Sequence, residues 1–158
     1  MLIKEYFEAE NIKFEREYVL NSLQNDSKSF RVADFYLPEY NVFVEFFGRW
    51  NLDKNKEEYR IKKRVYEQNR IPCVFIYPDN LGILNFIFKR RLKLELKKYN
   101  KRWGLFKLNL NLFIEKNYAL ELIVLGFLIF YTQDNLKLFL SLVFIWELYK
   151  DLKATFFT

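Results

Sequence analysis

Histidine is missing altogether from this 158-residue chain. Its absence removes His-dependent general-base catalysis, Ser/His/Asp triads, the common zinc hydrolase sites and every nuclease motif that ligates metal through imidazole. Cysteine is nearly absent as well. Cys73 is the one thiol, set in the apolar run from Pro72 to Pro78, so neither a thiolate metal site nor an intrachain disulfide is available. Cys73 therefore reads as a buried structural residue. Any metal chemistry must use oxygen ligands, which selects Mg²⁺, Mn²⁺ or Ca²⁺. There is no internal repeat and no low-complexity tract. The opening residues Met1-Leu2-Ile3-Lys4-Glu5 lead straight into a charged amphipathic segment, so no signal peptide is expected.

What is abundant is apolar and aromatic. Half of the residues are hydrophobic (51%) and a fifth are aromatic (20%), enough to build a real core and to exclude general disorder. The length suits one domain plus an appendage. Lys and Arg number 26 against 20 Asp and Glu, giving +6 and a pI near 9.3. That balance fits a nucleic-acid or anionic-membrane partner.

The most informative stretch is Arg31 to Gly48. It reads as two strands rich in aromatic and β-branched residues, joined by a turn at Pro38 to Asn41. Alternation places Val32, Asp34 and Tyr36 on one face of the first strand, and Phe43, Glu45 and Phe47 on one face of the second. A symmetric loop pairs Leu37 with Val42, and hence Asp34 with Glu45. Directly opposite residues have Cβ atoms roughly 4.5–5.5 Å apart. Two carboxylates so placed among apolar neighbours require a positive partner. A divalent metal is one candidate, and a buried Lys or Arg is the other.

Around this hairpin, residues 2–10 read as a helix, Phe14 to Leu20 as a strand and Asn21 to Ser29 as a polar loop. Asp53 is a candidate N-cap for a charged helix running to about Asn69. Its inward face is flanked by Ile61 and Val65 on one side and by Tyr59 and Tyr66 on the other. At about 100° per residue the middle of that face falls on Lys62, with Asn69 beside it. Lys62, or Lys63 one step round, is placed to supply the charge that the carboxylates need, unless it snorkels to the surface. Cys73 to Ile76 follows as a buried strand, parallel to the Glu45 strand by a right-handed crossover. Asp79 or Asn80 then caps a helix that turns strongly basic at Lys89, Arg90, Arg91 and Lys93. Such a run is either a solvated face or a footprint for nucleic acid or anionic lipid.

Composition shifts after Gly104. The segments 118–131 and 136–149 are nearly all apolar, joined by a turn at Thr132 to Asn135, and predict an apolar helical hairpin. Each is shorter than the ~20 residues a simple span requires. A bilayer or a second copy of the chain is expected to cover the hairpin. Basic residues at its outer ends favour the cytoplasmic face of a membrane.

The motifs together resemble the PD-(D/E)XK nuclease superfamily, most nearly the small nuclease domains associated with superfamily 1 DNA helicases and the very-short-patch-repair-like endonucleases. Val32-Ala33-Asp34-Phe35-Tyr36-Leu37-Pro38-Glu39-Tyr40 resembles their Pro-Asp-Phe-Tyr-Leu-Pro-Glu-Tyr segment. Glu45-Phe46-Phe47-Gly48 resembles their Glu-aromatic-aromatic-Gly, in which the motif lysine has migrated to the following helix, here Lys62. Ala33 stands where the pattern usually has Pro, and the acidic residue of the first helix would fall at or before Met1, with Glu5 the nearest substitute. The resemblance spans residues 1–85. It implies an α/β fold with a restriction-endonuclease-like core, a central mixed sheet flanked by helices, over 1–103, followed by the apolar hairpin over 104–158. It also implies a metal-dependent DNA endonuclease of repair, recombination or defence. Asp34, Glu45 and the Phe46 carbonyl would hold Mg²⁺ or Mn²⁺. Asp34, Glu45 and Lys62 would be catalytic, and Lys63, Lys89, Arg90, Arg91 and Lys93 would meet DNA. The readings set against this are an inactive nucleic-acid-binding module and a membrane-anchored structural protein that keeps the fold.

Overall fold

A computed structural model describes residues 2–115, 141–146 and 148–150. Met1–Leu105 form one compact unit and Phe106–Thr158 a second. Of the second unit, the described residues 141–146 and 148–150 are helical. The expected hairpin 118–131/136–149 and its turn fall largely outside the described residues. Among the described residues no helix is long and apolar enough to cross a membrane.

The first unit is α/β. Its elements run α1 (Leu2–Ala9), β1 (Glu15–Asn21), β2 (Phe30–Leu37), β3 (Val42–Phe46), α2 (Asp53–Gln68), β4 (Cys73–Ile76), a 3-10 helix (Pro78–Ile83), α3 (Leu84–Lys98) and α4 (Arg102–Glu115), the last straddling the unit boundary. The four strands form one sheet in sequence order, with β1, β2 and β3 antiparallel and β4 parallel to β3. The parallel pairing follows from the connection: strand, helix, strand needs a crossover, and α2 supplies it.

Helices cover both faces. On one side Phe35 packs edge-on to Phe7 of α1, and Phe7 packs in turn on Phe88 of α3. Ile3, Phe7, Phe88, Leu92 and Leu96 are all buried. On the other side Val65 and Tyr66 of α2 form a buried cluster with Ala33, Phe43 and Cys73, and Leu20 and Tyr36 pack against it. Ile61 does not join that layer. It is exposed, so the inward face of α2 is narrower than the sequence spacing suggests and centres on Lys62, Val65 and Tyr66.

The hairpin turn is as the sequence predicts. Tyr40 N–H donates to the Leu37 carbonyl, and Asn41 completes the turn at φ 52°, a conformation Asn adopts readily. Leu37 pairs with Val42, and the pairing continues through Tyr36↔Phe43 to Phe35↔Val44. Strict alternation along β2 fails one residue later. Ala33 sits in the α2 layer, whereas Phe35, two residues on, faces α1. The partner strand breaks in step. Glu17, which the flanking pairs Arg16↔Phe35 and Tyr18↔Ala33 set opposite Asp34, has φ 53°. Beyond this kink Tyr18 lies on the α2 side, touching Tyr36 and Phe43. The expectation that Val32, Asp34 and Tyr36 share one pleated face is therefore corrected. Both strands change face at Asp34 and Glu17, and Val32 is 37% exposed.

Candidate active site

The kink opens a fork between β2 and β3. A continued ladder would give the Phe46 N–H to the Ala33 carbonyl, by extension of the Phe35↔Val44 pair. Asp34 takes it instead: its Oδ2 accepts from Phe46 N–H at 2.6 Å. A strand residue turns its N–H and C=O to the same side, so the Phe46 carbonyl also faces the fork. On the frayed strand the Val32 carbonyl is satisfied by Lys62 Nζ at 2.8 Å. Side chains thus close the ladder that the backbone leaves open, as buried backbone polar groups require.

Glu45 lies on the floor of the fork with 1% of its surface exposed. Lys62 Nζ stands 2.7 Å from its carboxylate, and the Tyr66 hydroxyl donates to Oε1 at 2.7 Å. Lys62 and Tyr66 are four residues apart and so occupy one stripe of α2, which brings both onto the same carboxylate. Lys62, rather than Lys63, makes this contact. The Lys63 ammonium lies 5.6 Å from the Phe75 ring. Burial pushes the Glu45 carboxyl from 4.5 up to about 7; the Lys62 charge opposes the rise and the Asp34 charge adds to it. Burial first, and then the Glu45 charge, drive the Tyr66 phenol far upward, so it stays a neutral donor.

An aromatic wall closes one flank. Phe47 stacks on Tyr59 at 4.3 Å between ring centroids, and Trp50 stacks on Phe47. Gly48 leaves room for the Phe46 ring, because a Cβ there would stand 2.8 Å from it.

The arrangement fits a small hard cation. Asp34 leaves Oδ1 without a hydrogen bond among the described residues, Glu45 adds a second carboxylate, and the Phe46 carbonyl adds a neutral oxygen. No group of three or more His, Cys, Asp or Glu side chains surrounds one point among the described residues, so water and substrate oxygens would complete the shell, as is usual for Mg²⁺. Glu45 now gives its oxygens to Lys62 and Tyr66; ligation would require Lys62 to yield one of them.

The basic residues expected to meet DNA do not converge on the fork. Lys89 pairs with Glu10 at 3.0 Å. Arg90 is exposed on α3, and Lys93 is half-buried there. Arg91 turns to the free edge of β4, donating to the Phe75 carbonyl and to Asn80 Oδ1 at 2.8 Å. The Glu95 carboxylate takes the Cys73 N–H of that same edge. Lys63 and Arg91 line a groove there, of about 320 Å³. Neither Asp79 nor Asn80 is the helix cap expected of them: Tyr77 caps the 3-10 helix, Asn80 accepts the Tyr77 N–H from inside it, and α3 begins after Ile83. Glu5 is exposed on α1. Asp53 opens α2 without a side-chain capping bond at Leu52.

Tyr66 is the site residue that the sequence reading missed, having counted it only as an apolar flank. Its spacing of one helical turn from Lys62 was the available signal. Family models, curated proteins and solved structures yield no match to this chain.

Proposed function

We propose that the chain is a Mg²⁺-dependent endodeoxyribonuclease with a restriction-endonuclease-like core. The observation that carries the reading is the meeting of Lys62, from the helix after the hairpin, with the buried Glu45 at 2.7 Å beside Asp34. A lone structural ion pair would need neither the second carboxylate nor the opened ladder. Bound between Asp34, Glu45 and the Phe46 carbonyl, Mg²⁺ would polarise the scissile phosphate and acidify the attacking water.

The protein's part is positional. Asp34, fixed by the Phe46 N–H, holds one oxygen toward the fork. Tyr66 keeps the Glu45 carboxylate from rotating. Lys62, once released from Glu45, is within side-chain reach of a phosphate or water in the fork, where a cation stabilises charge that builds in phosphoryl transfer. A cytoplasmic setting and attachment to the membrane face through 118–149, with pairing of two copies as the alternative cover for that segment, belong to the same proposal and rest on the sequence.

Incubation of purified full-length protein with a labelled DNA panel tests it. Cleavage should require Mg²⁺ or Mn²⁺, and Asp34→Asn and Glu45→Gln should each lower the rate by at least about a hundredfold, the scale of losing an electrostatic catalytic group. Their circular dichroism should match that of the wild type. Cleavage that persists in excess EDTA, or that survives both changes, overturns the reading.

A further inference from the structure

A groove of about 770 Å³ runs beside the fork, with Lys28, Phe30, Val32, Arg49, Tyr59 and Lys62 in its lining. Resting on the reading just given, we propose that this groove, and not the basic face of α3, seats the DNA strand that enters the site. Phosphates would lie on Arg49 and Lys28, and bases against Phe30 and Tyr59.

Three observations carry it. The groove and the fork share Lys62, whose ammonium also reaches Glu45, so a strand lying in one delivers a phosphate to the other. Its lining is largely polar, yet it leaves apolar side chains open to solvent: Phe30 is 52% and Val32 37% exposed. An exposed aromatic ring with cations beside it matches a base flanked by phosphates. Arg49 stands at that rim with no ion pair among the described residues, and Lys28 is held beside it by Glu58 at 2.6 Å.

The loop that forms the groove wall is also fixed in advance. Asp26 takes two hydrogen bonds of 2.6 Å from the Arg31 guanidinium, with both side chains buried. Asn69, at the end of α2, clamps Gln24 from both sides, accepting its N–H at 2.8 Å and donating to its carbonyl at 2.9 Å. A polar loop of this length would ordinarily be mobile. These two locks, on either side of Ser27, Lys28 and Ser29, hold that segment in place, and such preorganisation lowers the cost of binding.

Fluorescence anisotropy of a labelled DNA strand with full-length protein in EDTA, over a range of salt, tests the seating without any cleavage. Lys28→Ala and Arg49→Ala should each weaken binding about three- to tenfold, and each should flatten the plot of log affinity against log salt by about 0.7, one phosphate contact on a single strand. Arg90→Ala should change neither. Unaltered binding by the two groove variants, or loss confined to Arg90→Ala, overturns the proposal, as does a wild-type chain that binds no DNA. Binding through the groove without metal-dependent cleavage would uphold this inference and reject the nuclease reading, so the two fail separately.

Discussion

Glu45 decides how the unit responds to pH. Its carboxyl is raised by burial from 4.5 to about 7 in the folded chain, so folding without metal favours the protonated form. The stability linked to that proton is fully present below about 4.5, in the acid range of the unfolded group, and is lost as pH climbs through about 7. The loss is on the order of 3 kcal/mol by linkage. Urea unfolding in EDTA should therefore show stability falling between pH 5 and pH 8, in the range set by these two values. Glu45→Gln, which keeps the shape and cannot ionise, should flatten this dependence; parallel profiles for wild type and variant would refute the assignment. At the residue scale much was legible in advance. Asp34 and Glu45 stood out as carboxylates among apolar neighbours, and the angle of Lys62 on its helix pointed to them. The partnership of Tyr66 was missed because a tyrosine on an inward face reads first as bulk, and its hydroxyl counts only once its neighbour is known.

At the scale of elements, the strand order, the hairpin register and the parallel crossover follow from pattern and connection rules. The break in β2 does not. Alternation was assumed through Asp34, whereas a single left-handed residue, Glu17 on the neighbouring strand, coincides with a change of face in both. No glycine marks the spot, so nothing in the residue pattern signals it. The free edge of β4 was equally hidden, because the basic run on α3 looks like one solvated face. Arg91 and Glu95, one turn apart, instead satisfy the Phe75 carbonyl and the Cys73 N–H. An unpaired strand edge is a template for association, and a covered one is not. Replacing both residues with alanine should destabilise the unit by about 2–4 kcal/mol, from two backbone groups left without partners. The same variant should raise the apparent mass in light scattering. A double variant as stable and as monodisperse as the wild type would show that this cover is dispensable.

For the whole molecule, the described residues separate a unit ending at Leu105 from one beginning at Phe106. By sequence, the apolar segments 118–131 and 136–149 hold few polar positions, and Lys116 and Lys150 flank them. Full-length protein is expected to sediment with vesicles containing anionic lipid and to leave them only in detergent; a chain that stays soluble and monomeric without either would end that expectation. Within the first unit the strand that changes face has a temporal meaning. Phe35 packs on Phe7 of α1, made before it, which packs in turn on Phe88 of α3, made after it, while Ala33 packs with α2. The acidic fork lies where these two dependencies cross. During synthesis a chain that ends before α3 therefore carries Asp34, Glu45 and Lys62 before Phe7, which packs on Phe35, has met its partner Phe88.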